Sequence, residues 1–246
     1  MWTEILKGIL LGVVQGLTEF LPVSSSGHLL LLERMGVAEP SILLNLLMHV
    51  ATLLSVVILL RKDVIGWVRH PLSRRARWLY LVCIPTALVA FALRYFAEDA
   101  LTGAYLPLGF LATSCLLFWG ASIPPRHRPL TLGNALFTGV VHGLAALPGL
   151  SRSGATVSAM RLAGIDGDEA VRLSFLMSIP VIVGGAAFEC IGADWGAVNV
   201  PLTIAAALSS FLFGLLGLRL MLKAFRRAMP LFGVYTFALA ILSLFV

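Results

Sequence analysis

The chain has 246 residues, of which 59% are apolar and only 12% are Asp, Glu, Lys or Arg, against about 45–50% and about 25% in soluble domains. With a mean hydropathy of +0.96, this excludes an ordinary soluble domain and indicates an integral membrane protein. The net charge of +6 gathers in short loops between apolar runs, the pattern of cytoplasmic loops rather than of a nucleic-acid-binding face, so nucleic acid is not an expected partner.

The chain begins MWTEILKGILLGVVQGLTEF, without a basic start or a small-residue cleavage site and with Glu4 and Glu19 inside it. It reads as part of the mature protein rather than a leader. Gly8, Gly12 and Gly16 recur every four residues, a face for close helix packing in lipid. Gln15 and Glu19 share one helical face, one turn apart. Pro22 ends that helix, and Ser24, Ser25 and Ser26 are natural caps for a second short helix carrying His28. A broken segment over about 3–34 is predicted to be a re-entrant hairpin, which a membrane tolerates only where protein or a water-filled cavity covers the irregular backbone.

Apolar runs at 41–60, 78–96 and 106–123 follow, each about long enough to cross a hydrocarbon core of roughly 30 Å at about 1.5 Å per residue. The loop 61–77 carries Arg61, Lys62, Arg69, Arg74, Arg75 and Arg77 and is expected inside; 97–105 carries Glu98 and Asp99 without Lys or Arg and is expected outside. Arg126 and Arg128 return the chain to the inside. A second hairpin over about 131–165 precedes runs at about 169–191, 201–219 and 229–246. The basic loop 219–228 is expected inside, and 192–199, with Asp194, outside. Cys83, Cys115 and Cys190 lie in apolar runs without metal-ligand spacing and read as small buried side chains.

GVVQGLTEFLPVSSSG at 12–27 matches GVVHGLAALPGLSRSG at 139–154. Gly12 and Gly139, and again Gly27 and Gly154, stand 127 residues apart; the middle slips by one and recovers. This is an internal repeat. The first copy enters from outside and the second from inside, so the two form an inverted-topology repeat with a site near the midplane. The expected fold is an all-α polytopic membrane protein of six transmembrane helices and two re-entrant helical hairpins. It is one integral domain in two repeats, 1–123 and 124–246.

Where the hairpins meet, the polar inventory suits phosphoryl transfer: hydroxyls, a histidine, a carboxylate, two helix N-termini and Arg152. Arg152 either locks Glu19 in an ion pair or grips phosphate oxygens with its planar fork. The serines serve as caps or as site groups. His49 and His142, the latter at Gln15's place in the second copy, are candidates to line the same cavity, whereas Glu189 reads as wetted at the outer interface.

The paired motifs QGLTEFLPVSSSGH and PGLSRSGAT resemble the signatures of the undecaprenyl-diphosphate phosphatases, the bacitracin-resistance membrane family, and the likeness extends over the whole chain. The resemblance implies hydrolysis of a C55 polyprenyl diphosphate lipid to its monophosphate and inorganic phosphate. The reaction recycles the carrier lipid for peptidoglycan and other envelope polymers in the bacterial cytoplasmic membrane, from a site open to the outer face. It implies a divalent cation, Mg²⁺ or Ca²⁺, and leaves room for a homodimer. Carried over residue by residue, Arg152 clamps the diphosphate, with Ser24, Ser26, Ser151, Ser153 and Thr156 as further phosphate ligands, while Glu19 holds metal or positions water. Ser25 or His28 attacks phosphorus, the preferred arrangement being Ser25 with His28 as acid or base. Many members carry glutamate where this chain has Gln15, so metal binding through Gln15 is expected to be weak. The competing reading is a transporter or flippase for the polyprenyl phosphate, which needs the arginine and the helix dipoles but no nucleophile.

Overall fold

A computed structural model describes every residue except 38, 40, 125 and 191–198, and every side chain in the helices except those of 189, 224, 226 and 227. The outer loop expected at 192–199, save Asn199, and the Glu189 side chain thus lie outside the described residues. The elements are all helical: α1 (Trp2–Phe20), α2 (Ser25–Arg34), α3 (Ile42–Leu59), α4 (Arg61–Arg69), α5 (Arg74–Phe96), α6 (Glu98–Leu101), α7 (Leu106–Ser122), α8 (Leu132–Leu144), α9 (Arg152–Leu162), α10 (Gly167–Cys190) and α11 (Val200–Leu242). Four stretches, Ile42–Leu59, Arg74–Phe96, Gly167–Phe188 and Val200–Lys223, are long and apolar enough to cross a membrane, and Leu106–Ser122, Leu132–Leu144 and Ala228–Leu242 are shorter apolar helices. The fold is that of an all-α, multi-pass membrane protein.

The breaks have local causes. Leu21, ahead of Pro22, is extended at φ −66° and ψ 144°, because a following proline disfavours the helical region. The helix restarts when Ser24 Oγ accepts from Gly27 N at 3.3 Å. In the second hairpin α8 opens on a Thr131–Asn134 capping box. Its partner α9 restarts when Ser151 Oγ accepts from Gly154 N at 3.2 Å.

The glycine faces are pressed against helices. A Cβ on Gly12 would lie 2.4 Å from the Ala206 carbonyl oxygen, and one on Gly16 would lie 2.6 Å from that of Ser210. On α8, a Cβ on Gly139 would lie 2.4 Å from the Val82 carbonyl oxygen, and one on Gly143 would lie 2.9 Å from that of Thr86. So α1 packs on the first part of α11, and α8 packs on α5. A straight helix as long as α11, 43 residues, would span about 65 Å, roughly twice a bilayer core. Its first part follows α1 in register order, Gly8 beside Leu202 and Gly16 beside Gly214. Its last part lies on α7 in reverse order: Gly120 beside Met229, and Ser114 Oγ donating to Gly233 O at 2.8 Å.

The basic stretch 61–77 is not all loop. Val64 and Trp67 of α4 pack against the main core cluster while its arginines stay exposed, so an amphipathic turn of helix forms under the charge. Asp63 faces Arg75 at 3.1 Å and Arg172 at 3.4 Å, tying α4 to α5 and α10.

Candidate active site

Of the seven buried positions of α1, the first five, Gly8, Leu11, Gly12, Gln15 and Gly16, match the five buried positions of α8, Ala135, Thr138, Gly139, His142 and Gly143. Each pair stands 127 residues apart. Both hairpins therefore present the same stripe, and their breaks meet at a cavity of about 310 Å³. Thr18, Glu19, Ser24, Ser25 and Ser26 line it from the first hairpin, Ala145, Ala146, Leu150, Ser151 and Arg152 from the second. Leu46 and His49 of α3 and Val181, Ile182, Gly185 and Ala186 of α10 complete the wall.

Glu19 is the hub, only 5% exposed. Its Oε2 accepts from Ser25 Oγ at 2.6 Å and from Gln15 Nε2 at 3.1 Å, and lies 3.3 Å from His49 Nδ1. Its Oε1 accepts from Arg152 Nη2, joining the two hairpins in an ion pair. The Gln15 amide nitrogen also lies 3.0 Å from His49 Nδ1; because the Glu19 carboxylate beside it only accepts, that end is the NH₂. The structural lock foreseen for Arg152 exists, yet it uses one prong of the fork. Arg152 Nη1 is buried and has no partner, as is Gln15 Oε1. Buried polar atoms are seldom left so.

The serine motif divides. Ser24, Ser25 and Ser26 face the cavity at the start of α2, and Ser151 at the start of α9, where uncommitted N–H groups and the helix dipole favour an anion. Ser153 and Thr156 do not line it. Ser153 Oγ donates to Leu21 O at 3.2 Å, and Thr156 Oγ1 donates to Arg152 O at 2.7 Å and lies 2.7 Å from Ser174 Oγ. Ser153 thus ties the second hairpin to the first, and Thr156 ties α9 to α10. His28 is not bonded to Ser25 and does not line the cavity. Its ring nitrogens meet Ser24 O and Tyr235 Oη, each at 2.7 Å. His142 is 3% exposed, with neither ring nitrogen partnered, and lies behind the wall rather than on it.

Sequence reasoning missed Tyr235 and Thr113. Thr113 Oγ1 donates to Gly149 O and accepts from Ser151 N, both at 2.8 Å, which fixes the turn before α9. Hydroxyls at membrane depth in otherwise apolar runs were the available signal for both.

Among the described residues no three His, Cys, Asp or Glu side chains cluster as metal ligands, so a cage built of protein alone is absent there. One carboxylate with an unpartnered carbonyl oxygen beside it, Glu19 with Gln15 Oε1, fits a hard cation shared with phosphate oxygens, the usual mode for Mg²⁺.

A hydroxyl on a carboxylate, opposite an arginine with a spare nitrogen at two helix starts, is an arrangement suited to phosphoryl transfer. Comparison with known proteins agrees. The profile of "Bacitracin resistance protein BacA" matches residues 8–242, and the chain belongs to that family. It is similar to proteins named undecaprenyl-diphosphatase: 34% identical to one from Korarchaeum cryptofilum, over 98% of this chain and 99% of the relative. A relative from Syntrophotalea carbinolica is 34% identical over 94% of each chain. One from Halothermothrix orenii is 39% identical over 76% of this chain and 74% of its own.

Proposed function

We propose that this protein hydrolyses undecaprenyl diphosphate to undecaprenyl phosphate and inorganic phosphate, the activity its relatives are named for, and so returns a carrier lipid to envelope synthesis. The observation that carries the reading is the 2.6 Å bond from Ser25 Oγ to Glu19 Oε2, set opposite Arg152. A transporter needs no such pair.

In this mechanism Ser25 Oγ attacks the terminal phosphorus as Glu19 Oε2 takes its proton. The bond from that phosphorus to the bridging oxygen breaks, and undecaprenyl phosphate leaves with the electron pair. Water then opens the phosphoserine, Glu19 returns the proton to Ser25 Oγ, and inorganic phosphate departs. Arg152 Nη1 and the N-termini of α2 and α9 hold the phosphoryl oxygens, where developing charge is stabilised without reorganisation. Val181, Ile182 and Leu46 face the first isoprene units. A divalent cation held by Glu19 and Gln15 Oε1 would neutralise part of the diphosphate's charge.

The proposed setting is the cytoplasmic membrane, with six spans and two re-entrant hairpins in two inverted repeats, 1–123 and 124–246, and the site open to the outer face. Matching buried stripes and caps support the repeat. The 43-residue length of α11, about twice what a bilayer core needs, supports two spans on either side of the basic residues near 219–228.

The test is phosphate release from a C55 lipid diphosphate by the purified protein in detergent, with and without EDTA, beside Ser25→Ala. The expected result is release that falls by about 10³-fold in the variant. No release from folded wild-type protein would overturn the reading.

A further inference from the structure

Among the described residues Ser24 is the one non-glycine with positive φ, at 70°. An L-residue there is strained, and such a conformation persists only when its surroundings over-determine it. Ser24 also sets the direction in which Ser25 leaves the turn toward Glu19. What holds it is His28. The Ser24 carbonyl accepts from His28 N at 3.2 Å and faces His28 Nδ1 at 2.7 Å. A carbonyl oxygen only accepts, so Nδ1 carries the hydrogen. Nε2 faces Tyr235 Oη at 2.7 Å. The two rings stack with centroids 5.7 Å apart and planes 17° from parallel, and Phe110 closes on the ring edge-on at 5.9 Å. The ring is thus held at both nitrogens and between two aromatic rings.

The second hairpin is the control. Ser151 caps α9 as Ser24 caps α2, yet its φ is an ordinary −65°. The residue at His28's place there is Ala155, which offers Ser151 O only its backbone N–H, at 2.8 Å. A ring is present where the turn is strained and absent where it is not.

We propose that His28 and Tyr235 are positioning residues, a brace from the last helix that holds the Ser24 turn so that Ser25 Oγ meets Glu19. His28 is then neither nucleophile nor base. The proposal rests on the hydrolytic reading above and changes the part His28 plays in it.

The experiment exploits glycine, which adopts positive φ without strain and replaces a serine cap at little loss. Phosphate release from C55 diphosphate is measured for wild type, Ser24→Gly, His28→Ala and Tyr235→Phe, and for each of the last two combined with Ser24→Gly. On the wild-type background His28→Ala is expected to lower kcat about 100-fold and Tyr235→Phe about 10-fold, with KM within about twofold. On the Ser24→Gly background both losses are expected to shrink to about threefold or less, because the strain they oppose is gone. Equal losses on the two backgrounds would overturn the brace and return His28 to the chemistry. Tyr235→Phe keeps the ring and the stack, so it reports on the hydroxyl even if His28→Ala unfolds. A wild type without phosphate release would instead sink the hydrolytic reading itself.

Discussion

The two hairpins share a frame and divide the chemistry. Each buries the same five-position stripe, breaks near a proline, and restarts a helix behind a serine cap. The functional side chains then diverge. Where the first hairpin has Glu19, Ser25 and His28, the second has Ala146, Arg152 and Ala155. In the proposed mechanism the reacting groups come from one copy and the arginine that receives the anion from the other. Only the first copy pays for its geometry with a strained cap. Neither half could assemble the site alone, because the Glu19–Arg152 pair spans them.

The largest effect is expected from removing a partner in that pair. Arg152→Ala should lower phosphate release by about 10²- to 10³-fold. Activity retained within a few-fold in steady-state assays would return Arg152 to the status of a structural lock. Next is the shared frame. Gly12→Leu and Gly139→Leu drive side chains into the carbonyls of Ala206 and Val82, and each is expected to destabilise by about 1–3 kcal/mol or more, read by thermal melting in detergent. If only one of them does, the hairpins are not packed alike. Gln15→Glu adds a second carboxylate beside Glu19 and should lower the half-saturating concentration of Mg²⁺ by about tenfold; an unchanged titration would remove this position from cation binding. The smallest effect is expected at its counterpart. The His142 ring is buried with both nitrogens unpartnered, so His142→Leu should leave release within about threefold and raise stability by about 1 kcal/mol. A tenfold loss of activity would show that the second hairpin supplies more than Arg152.

What was legible in the chain was local. Pro22, the serine caps and the 127-residue repeat are encoded within a few residues of where they act, and they led to both hairpins and to the Glu19–Arg152 encounter. The family follows from the same motifs. The pairing of Ser25 with Glu19 rather than His28 was not legible, because it depends on the φ of one residue, Ser24. Tyr235 lies 207 residues from His28; its hydroxyl in an apolar run marks it as unusual, but nothing local names His28 as its partner. Ser153 and Thr156 carry the motif but turn their hydroxyls to Leu21 and Ser174, since spacing along a helix does not say which face meets the cavity. The helix α4 was hidden by reading 61–77 from charge alone. Its Val64 and Trp67 recur at helical spacing beneath the arginines.

The central claim is the division between hairpins, and binding separated from turnover tests it most directly. The measurement is affinity for a non-hydrolysable C55 methylene-diphosphonate in wild type, Ser25→Ala and Arg152→Ala. Ser25→Ala is expected to bind within about threefold of wild type while its phosphate release from the true substrate falls about 10³-fold, and Arg152→Ala to lose about 100-fold in affinity. Equal loss of affinity in both variants would contradict the division, because the first hairpin would then be holding the anion as firmly as the second.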